Sequence, residues 1–353
     1  MNAPVSQFVP EPPVVAIVGA TGVVGREVLQ CLEDRGTPVA SIRLLASARS
    51  AGQTLSFKGA HLPVEEVADH QFDGVNIVFF CAGATVSRRY APVAAKAGAV
   101  VVDNSSAFRM DPTVPLIVPE ANGSQIVPHA GIIANPNCVA AIATVVLAAL
   151  QRCWSISRLN LVTYQSASGG GAAAMDELRD ATSAKLNGDD YAPNAMPHPY
   201  AFNLFSHNSD VDGETGYNGE ELKVIEETRR ILSQPKLPIG VTCVRVPVLR
   251  AHSIALSVRF DHFVDVEQVR ARLENAPGVR LVDDRDSNHF PMPSEATGEY
   301  DVLVGRIRRD LGDPTGHTIA MFICGDQLLK GAALNAVQIA ETLLALGAAQ
   351  EAA

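Results

Sequence analysis

A chain of 353 residues has room for two domains at roughly 100–200 residues each, and its 47% hydrophobic content can furnish a core for both. The formal net charge of −10 argues against nucleic-acid binding, which needs a basic face; an anionic ligand would have to be met by cations gathered against the overall field. No apolar run reaches the ~18 residues of a membrane helix. Residues 1–13, rich in proline and without an apolar h-region, read as a loose tail rather than a signal peptide, so a cytoplasmic location is expected.

Taken in chain order, residues 14–20 form a short apolar strand-like run, followed by a glycine-rich turn and a helical stretch through Val28, Leu29 and Leu32. Runs at 42–46, 76–82 and 99–102 have β-branched or aromatic character, and a helical pattern surrounds residues 90–97. Such alternation predicts a parallel sheet with helices on its faces. An alanine-rich apolar helix follows over 139–150. Residues 158–165, 241–248 and 252–260 then read as strands. In the last, Ile254, Leu256, Val258 and Phe260 alternate with smaller or polar residues, so one face is less buried. Strands near 300–307 and 317–324 flank a turn-rich stretch at 311–316 and predict a hairpin. A mixed sheet of this kind suits a second, α+β domain. Residues 187–219, rich in Pro, Asn, Asp and Gly, predict an excursion or lid, and residues 332–346 a closing helix.

Six cysteines, Cys31, Cys81, Cys138, Cys153, Cys243 and Cys324, are widely spaced with no C-x-x-C pair, which argues against a disulfide framework or a zinc ribbon. All but Cys138 sit in apolar runs and read as small core residues. The histidines show no H-E-x-x-H spacing, and no metal is expected.

Gly19-Ala-Thr-Gly22-Val-Val-Gly25 follows an apolar strand and opens a helix. Glycine allows the tight turn, and the helix start offers free N–H groups to a pyrophosphate. Gly19, Thr21, Gly22, Val23 and Val24 are therefore candidate cofactor contacts, although a tight βα turn without a ligand would read the same. An NAD site usually carries an acid at the end of the second strand, roughly twenty residues on. Here Ser47, Arg49 and Ser50 stand in that region. Arginine and hydroxyls suit a 2′-phosphate, which favours NADP with Arg49 and Ser50 as ligands; an ordinary surface arginine is the alternative.

In Ile132-Ile-Ala-Asn-Pro-Asn137-Cys138, Asn137 can cap the helix that follows and leave Cys138 in its first turn. There the helix dipole favours thiolate over thiol, whereas a free thiol of pKa about 8.5 is only ~3% ionised at pH 7. On local sequence alone, a core cysteine is an equal reading. Glu220 and Lys223, three apart on a predicted helix, can face one site or form a solvated ion pair.

The N-P-N-C turn before an alanine-rich helix resembles the active-site signature of the aspartate-semialdehyde dehydrogenases. So do Asn104-Ser-Ser-Ala-Phe-Arg109, Gln165-Ser-Ala-Ser-Gly-Gly-Gly171, Gly219-Glu-Glu-Leu-Lys223 and Arg245-Val-Pro-Val-Leu-Arg-Ala-His252, in the family's order. The resemblance implies Cys138 as acyl-carrying nucleophile, His252 as general acid/base and Gln165 as the residue orienting the acyl or thiohemiacetal group. It implies Arg245 on the substrate α-carboxylate, Glu220 on its ammonium, and Arg109 and Lys223 on phosphate. Ser168 and Gly169 would lie near the nicotinamide and Asn335 near its carboxamide.

The implied reaction is the reversible, NADP-dependent reductive dephosphorylation of L-aspartyl 4-phosphate to L-aspartate 4-semialdehyde through a thioester, on the route to lysine (by way of diaminopimelate), threonine and methionine. The implied organisation is an α/β chain. A Rossmann-type NADP-binding domain spans 14–137, a catalytic and dimerisation domain with a mixed sheet spans 138–330, and a C-terminal helix at 331–353 returns to the first domain. A homodimer is expected. A reductase for an N-acylated substrate is the nearest rival, but it would have no use for an ammonium-binding Glu220.

Overall fold

The computed structural model describes Val9, residues 12–127 and residues 129–351, so the tail expected at 1–13 lies largely outside the described residues. The chain divides into two compact units, residues 1–136 together with 332–353, and residues 137–331.

Along residues 12–136 run β1 (Val14–Val18), α1 (Val23–Asp34), β2 (Ser41–Ala46), β3 (Thr54–Phe57), β4 (Ala60–Glu66), β5 (Ile77–Phe80), α2 (Ala84–Lys96), β6 (Val100–Asp103), the single turn α3 (Pro119–Asn122) and β7 (Ile132–Ala134). Their order in the sheet is β3-β4-β2-β1-β5-β6-β7. The pairings are parallel except β3 with β4. The central strands β5 and β6 are buried along their whole length, which is why they read as unbroken apolar runs rather than alternating ones.

The hairpin β3–β4 was not foreseen. Its strands are half polar and half exposed, and Lys58 and Gly59 turn it with φ of 49° and 78°, a two-residue turn with positive φ at both positions but without the familiar Asn-Gly signature. Helix α2 also starts earlier than its apolar pattern, because buried Ser87 is held by a hydrogen bond to Asp103 (2.7 Å) rather than by apolar contact.

Strand order reverses between β1 and β5, and the glycine turn sits at that switch point, where doubly wound sheets bind ligands. Gly19 has φ +85°, and a Cβ there would lie 2.8 Å from the Cys81 carbonyl oxygen. A Cβ on Gly25 would lie 2.3 Å from the Gly19 carbonyl oxygen. Helix and turn pack this closely only because both residues are glycine.

The second unit contains α4 (Cys138–Gln151), β8 (Ile156–Gln165), a 3₁₀ turn (Ala167–Gly170), α5 (Gly171–Asn187), β9 (Phe205–Ser206), α6 (Gly219–Ile231), β10 (Ile239–Arg245), β11 (His252–Phe260), α7 (Val266–Glu274), β12 (Val279–Leu281), α8 (Pro293–Ala296), β13 (Val302–Arg309) and β14 (Thr318–Gly325). The chain then rejoins the first unit with α9 (Leu334–Glu351). The sheet order is β12-β13-β14-β11-β8-β10-β9. It is mixed: β8 with β10 and β12 with β13 are parallel, the others antiparallel, and β13–β14 is the expected hairpin.

One face of this sheet is buried, and α4 packs against β13 and β14. The other face leaves Val162 and Tyr164 more than a third exposed. Strand β10 ends at Arg245, short of the predicted 248, because Pro247 has no N–H to continue the ladder. Helix α5 was also missed, since its glycine-rich start reads as loop; it closes at Gly188 in the left-handed conformation.

Part of the 187–219 segment is core rather than lid. Met196, Tyr200 and Phe205 form a buried cluster with Ala167, Ala174 and Leu178, and the Glu177 carboxylate accepts the backbone N–H groups of Asn194, Ala195 and Met196. Among the described residues no helix is long and apolar enough to cross a membrane.

The contact at Gly25 is with backbone, which cannot step aside as a flexible side chain could. Gly25→Ala is expected to cost about 1–3 kcal/mol and to lower the thermal midpoint; an unchanged midpoint would remove the close-packing argument.

Candidate active site

Asn137 caps α4 as anticipated: its Oδ1 accepts from Val139 N (2.9 Å) and Ala140 N (3.3 Å). The capping residue is itself held by two buried acids of α6. Its backbone N–H donates to the Glu227 carboxylate and its Nδ2 to Glu220 Oε1 (2.8 Å). A Cβ on Gly331 would lie 2.8 Å from Cys138 Cβ, so the chain passes directly behind the nucleophile candidate.

The strands deliver the remaining residues by alternation. Thr163 and Gln165 of β8, Cys243 and Arg245 of β10, and Ile254 and His252 of β11 belong to the inward-facing rows, and each row ends in a polar side chain. Parallel register pairs Arg245 with Gln165, and antiparallel register pairs Ser253 with Tyr164, so the three polar ends meet at one edge of the sheet. There Cys138 Sγ lies 3.4 Å from His252 Nε2.

The His252 ring has a defined tautomer. Ser166 donates its backbone N–H to Nδ1 (3.1 Å), so Nδ1 accepts and the neutral ring carries its proton on Nε2, toward the sulfur. Burial first, then the nearby Arg245 and His207, hold this histidine well below the usual imidazole value. Ser166 Oγ, 3.0 Å from Nδ1 and 3.0 Å from Ser168 Oγ, lies beside the same nitrogen. Ala251, just before His252, has φ +70° and donates its N–H to buried Gln327 (3.0 Å); the residue leading into the histidine is thus strained and clamped.

Arg245 is nearly fully buried. It donates to His207 Nε2 (2.8 Å), Asn208 Oδ1 (3.2 Å) and the Ser166 carbonyl (3.3 Å). Glu220 accepts from Gln165 Nε2 (3.3 Å) as well as Asn137, and Lys223 Nζ stands 3.9 Å from it. Burial alone would raise the Glu220 carboxyl, but His207, Asn137, Lys223 and Gln165 together hold it below the usual carboxylate range. Ser168 is buried in the 3₁₀ turn, and a Cβ on its neighbour Gly169 would lie 2.8 Å from Arg245 Nη1 and 3.0 Å from His252 Cε1. Cys138, Gln165, Ser168, Gly169, Glu220, Lys223, Arg245 and His252 therefore gather in the second unit.

His207 was missed by sequence reading. It follows β9, whose pairing of Phe205 with Arg245 sets it beside that arginine, and nothing local to a turn-rich segment announces such a register. The core reading of Cys153 is corrected: the residue is exposed, in the turn after α4, whereas Cys31, Cys243 and Cys324 are buried and Cys81 is half-buried.

In the first unit, Gly19, Thr21 and Gly22 form the turn and Val23 and Val24 open α1, whose N-cap Gly22 supplies no side-chain cap. Arg49 is exposed, with no ionic partner among the described residues, and Ser50 N donates to Ser47 O (2.8 Å) in the turn after β2. Arg109 is aimed by donating Nε to Asn135 O (2.9 Å) and Nη2 to Asn104 O (2.8 Å). Asn335 is fully buried, and its Nδ2 donates to Ile117 O (2.9 Å) and Asn135 Oδ1. Its amide nitrogen is thus occupied within the fold.

Two buried rings give the second unit a pH dependence. Burial first, then Arg245 and Lys223, push His207 down to about 4 against the pull of Glu220, and His252 is lowered as well. Both would titrate near 6.5 in the unfolded chain, which therefore binds more protons than the fold once pH drops below that value. Stability from these rings is present above pH 6.5 and is lost as pH falls toward the folded values. Thermal midpoints should fall from about pH 7 to about pH 5, and less steeply in His207→Gln. An identical fall in both proteins would refute the assignment to His207.

The family model for the semialdehyde dehydrogenase NAD binding domain matches residues 14–129, and that for the semialdehyde dehydrogenase dimerisation domain matches residues 147–330. The aspartate-semialdehyde dehydrogenase of Prochlorococcus marinus is 49% identical over 337 residues, covering 96% of this chain and 97% of that protein. The enzyme of that name from Synechocystis is 50% identical over 338 residues, covering 96% and 99%. The crystal structure of aspartate semialdehyde dehydrogenase II from Vibrio cholerae, complexed with ASA, superposes with a TM-score of 0.91 at 40% identity and covers 95% of this chain and 99% of that one. With a capped cysteine facing a histidine in one unit, a glycine turn at the switch point of the other, and likeness along nearly the whole sequence, the chain belongs to the aspartate-semialdehyde dehydrogenase family.

Proposed function

We propose that the protein is an NADP-dependent aspartate-semialdehyde dehydrogenase. It interconverts L-aspartyl 4-phosphate and L-aspartate 4-semialdehyde through a thioester on Cys138, in the synthesis of lysine, threonine and methionine. The observation that carries this reading is Cys138 Sγ at the capped start of α4, 3.4 Å from His252 Nε2.

Residues 14–137 are assigned to the dinucleotide and 138–330 to catalysis and dimerisation, with the helix at 331–353 completing the first domain. The cofactor turn fits NADP. Gly22 is exposed, the start of α1 that it leaves without a side-chain cap offers N–H groups to a pyrophosphate, and Arg49, without an ionic partner among the described residues, suits a 2′-phosphate beside Ser50. When bound, NADPH supplies the hydride. Ser168 and Gly169 are assigned to the nicotinamide side.

In the biosynthetic direction Cys138 attacks the acyl carbon, and the sulfur–carbon bond forms as the carbon–oxygen bond to phosphate breaks. Because Nδ1 of His252 accepts from Ser166, the neutral ring presents Nε2–H and can donate but not accept. Cys138 therefore reacts as a thiolate, favoured by the helix start, and His252 meets the oxygen that gains negative charge. After reduction of the thioester, collapse of the thiohemiacetal expels the thiolate and frees the aldehyde.

Arg245 takes the α-carboxylate, ionised Glu220 the ammonium, and Gln165 the acyl oxygen; Lys223 and Arg109 are assigned to phosphate. An N-acylated substrate would bring no ammonium to the buried Glu220 carboxylate. The half-open sheet face bearing Val162 and Tyr164 is the surface we assign to a homodimer.

Cys138→Ser should bind NADP normally yet lose essentially all phosphate-dependent NADPH formation from the semialdehyde; near-normal turnover would eliminate the thioester. Arg49→Glu should raise the KM for NADPH by about tenfold or more while affecting NADH much less, and equal losses for the two cofactors would reject the 2′-phosphate assignment.

A further inference from the structure

Arg245 is a donor-only side chain, so each atom that touches it must accept. One of these, His207 Nε2 at 2.8 Å, has the shortest contact of the three the guanidinium makes. Accepting through Nε2 requires a neutral ring with its proton on Nδ1, and Nδ1 is placed to donate to Ser209 Oγ (3.1 Å). Ser209 Oγ in turn donates to Asn218 Oδ1 (3.3 Å) and accepts the N–H of Glu220 (2.9 Å). Asn218 is the N-cap of α6 and holds the N–H groups of Glu220 and Glu221. One directional chain, Arg245 to His207 to Ser209 to Asn218, therefore connects the arginine to the helix start that carries Glu220.

We propose that His207 is a positioning residue for substrate binding: it fixes the Arg245 guanidinium, in register with Glu220, to receive the α-carboxylate of an α-amino acid whose ammonium Glu220 holds. This rests on the assignment of Arg245 to the carboxylate. The remaining acceptors, Asn208 and the Ser166 carbonyl, bond Nε and Nη1, so without His207 the Nη2 arm loses its acceptor. Held only by those two longer contacts (3.2 and 3.3 Å), the whole planar guanidinium is aimed less firmly and must be ordered anew by each substrate, which weakens binding without altering the bond-making step.

The test is steady-state, phosphate-dependent oxidation of L-aspartate 4-semialdehyde by the intact protein. His207→Ala should raise KM for the semialdehyde roughly tenfold, the scale of a hydrogen bond to a charged group, with kcat and KM for NADP within about twofold of the parent. His207→Asn should behave like Ala, because its side chain is too short to put an acceptor where Nε2 lies, and it carries the test should Ala fold poorly. His207→Gln, whose Oε1 can take that place, should restore KM to within about threefold.

A parent-like KM in both short variants, a fall in kcat at constant KM, or a Gln variant no better than Ala would each overturn the proposal for His207. Arg245→Ala serves as the reference. If it leaves KM for the semialdehyde unchanged, the carboxylate assignment itself falls and takes this inference with it, an outcome distinct from failure of the His207 variants alone.

Discussion

Asn137 joins the nucleophile to the groups that would recognise the substrate. Its Oδ1 caps α4, its Nδ2 donates to Glu220 and its backbone N–H to Glu227. A cap alone is worth about 0.5–2 kcal/mol, and here the same residue, through its side chain and its backbone N–H, also offsets part of the cost of burying two carboxylates. The cap spends the amides of Val139 and Ala140, so α4 acts on the sulfur through its dipole rather than through those N–H groups. Glu220 can stay ionised in the interior because His207, Lys223 and the amides of Asn137 and Gln165 face it.

The same economy organises the sheet. Mainly apolar side chains line the inward rows of β8, β10 and β11 up to the end where the site lies; there Thr163 and Gln165 of β8, Arg245 of β10 and His252 at the start of β11 replace them. The register that pairs the strands thus brings Gln165, Arg245 and His252 together, and the residues just after β9, His207 and Asn208, join them from the 187–219 segment. Glycines then admit the neighbours: Gly169 against Arg245 and His252, Gly331 against Cys138. Beside the catalytic candidates, Ala251 carries backbone strain, and Gln327 holds it.

What the sequence disclosed follows from range. Asn137-Cys138 and the Gly19–Gly25 turn are local patterns whose geometry is set within one turn of chain, and both lie where they were expected. The parallel strands β1, β2, β5 and β6 were legible as apolar runs, and the β13–β14 hairpin from its turn-rich loop. His207, Ser166 and Glu227 were not, because each acts through a partner dozens of residues away and owes its place to strand pairing or helix packing. Hairpin β3–β4 and helix α5 hid behind polar or glycine-rich composition, and Cys153 misled because an apolar sequence neighbourhood is no guarantee of burial once the helix has ended.

The arginines of the second unit divide by what holds them. Arg250 pairs with Asp326, Arg259 with Asp313 and Arg270 with Asp283, each cancelling charge to fasten two parts of the fold. Arg245 has no carboxylate partner among the described residues; a carbonyl, an amide and an uncharged imidazole orient it. A carboxylate there would fix the guanidinium equally well, but an incoming α-carboxylate would then have to displace it, and the net gain would shrink to the difference between two similar bonds. Neutral acceptors impose direction and leave the positive charge unspent. In a chain of net charge −10, that is how one buried cation can be kept available to an anion.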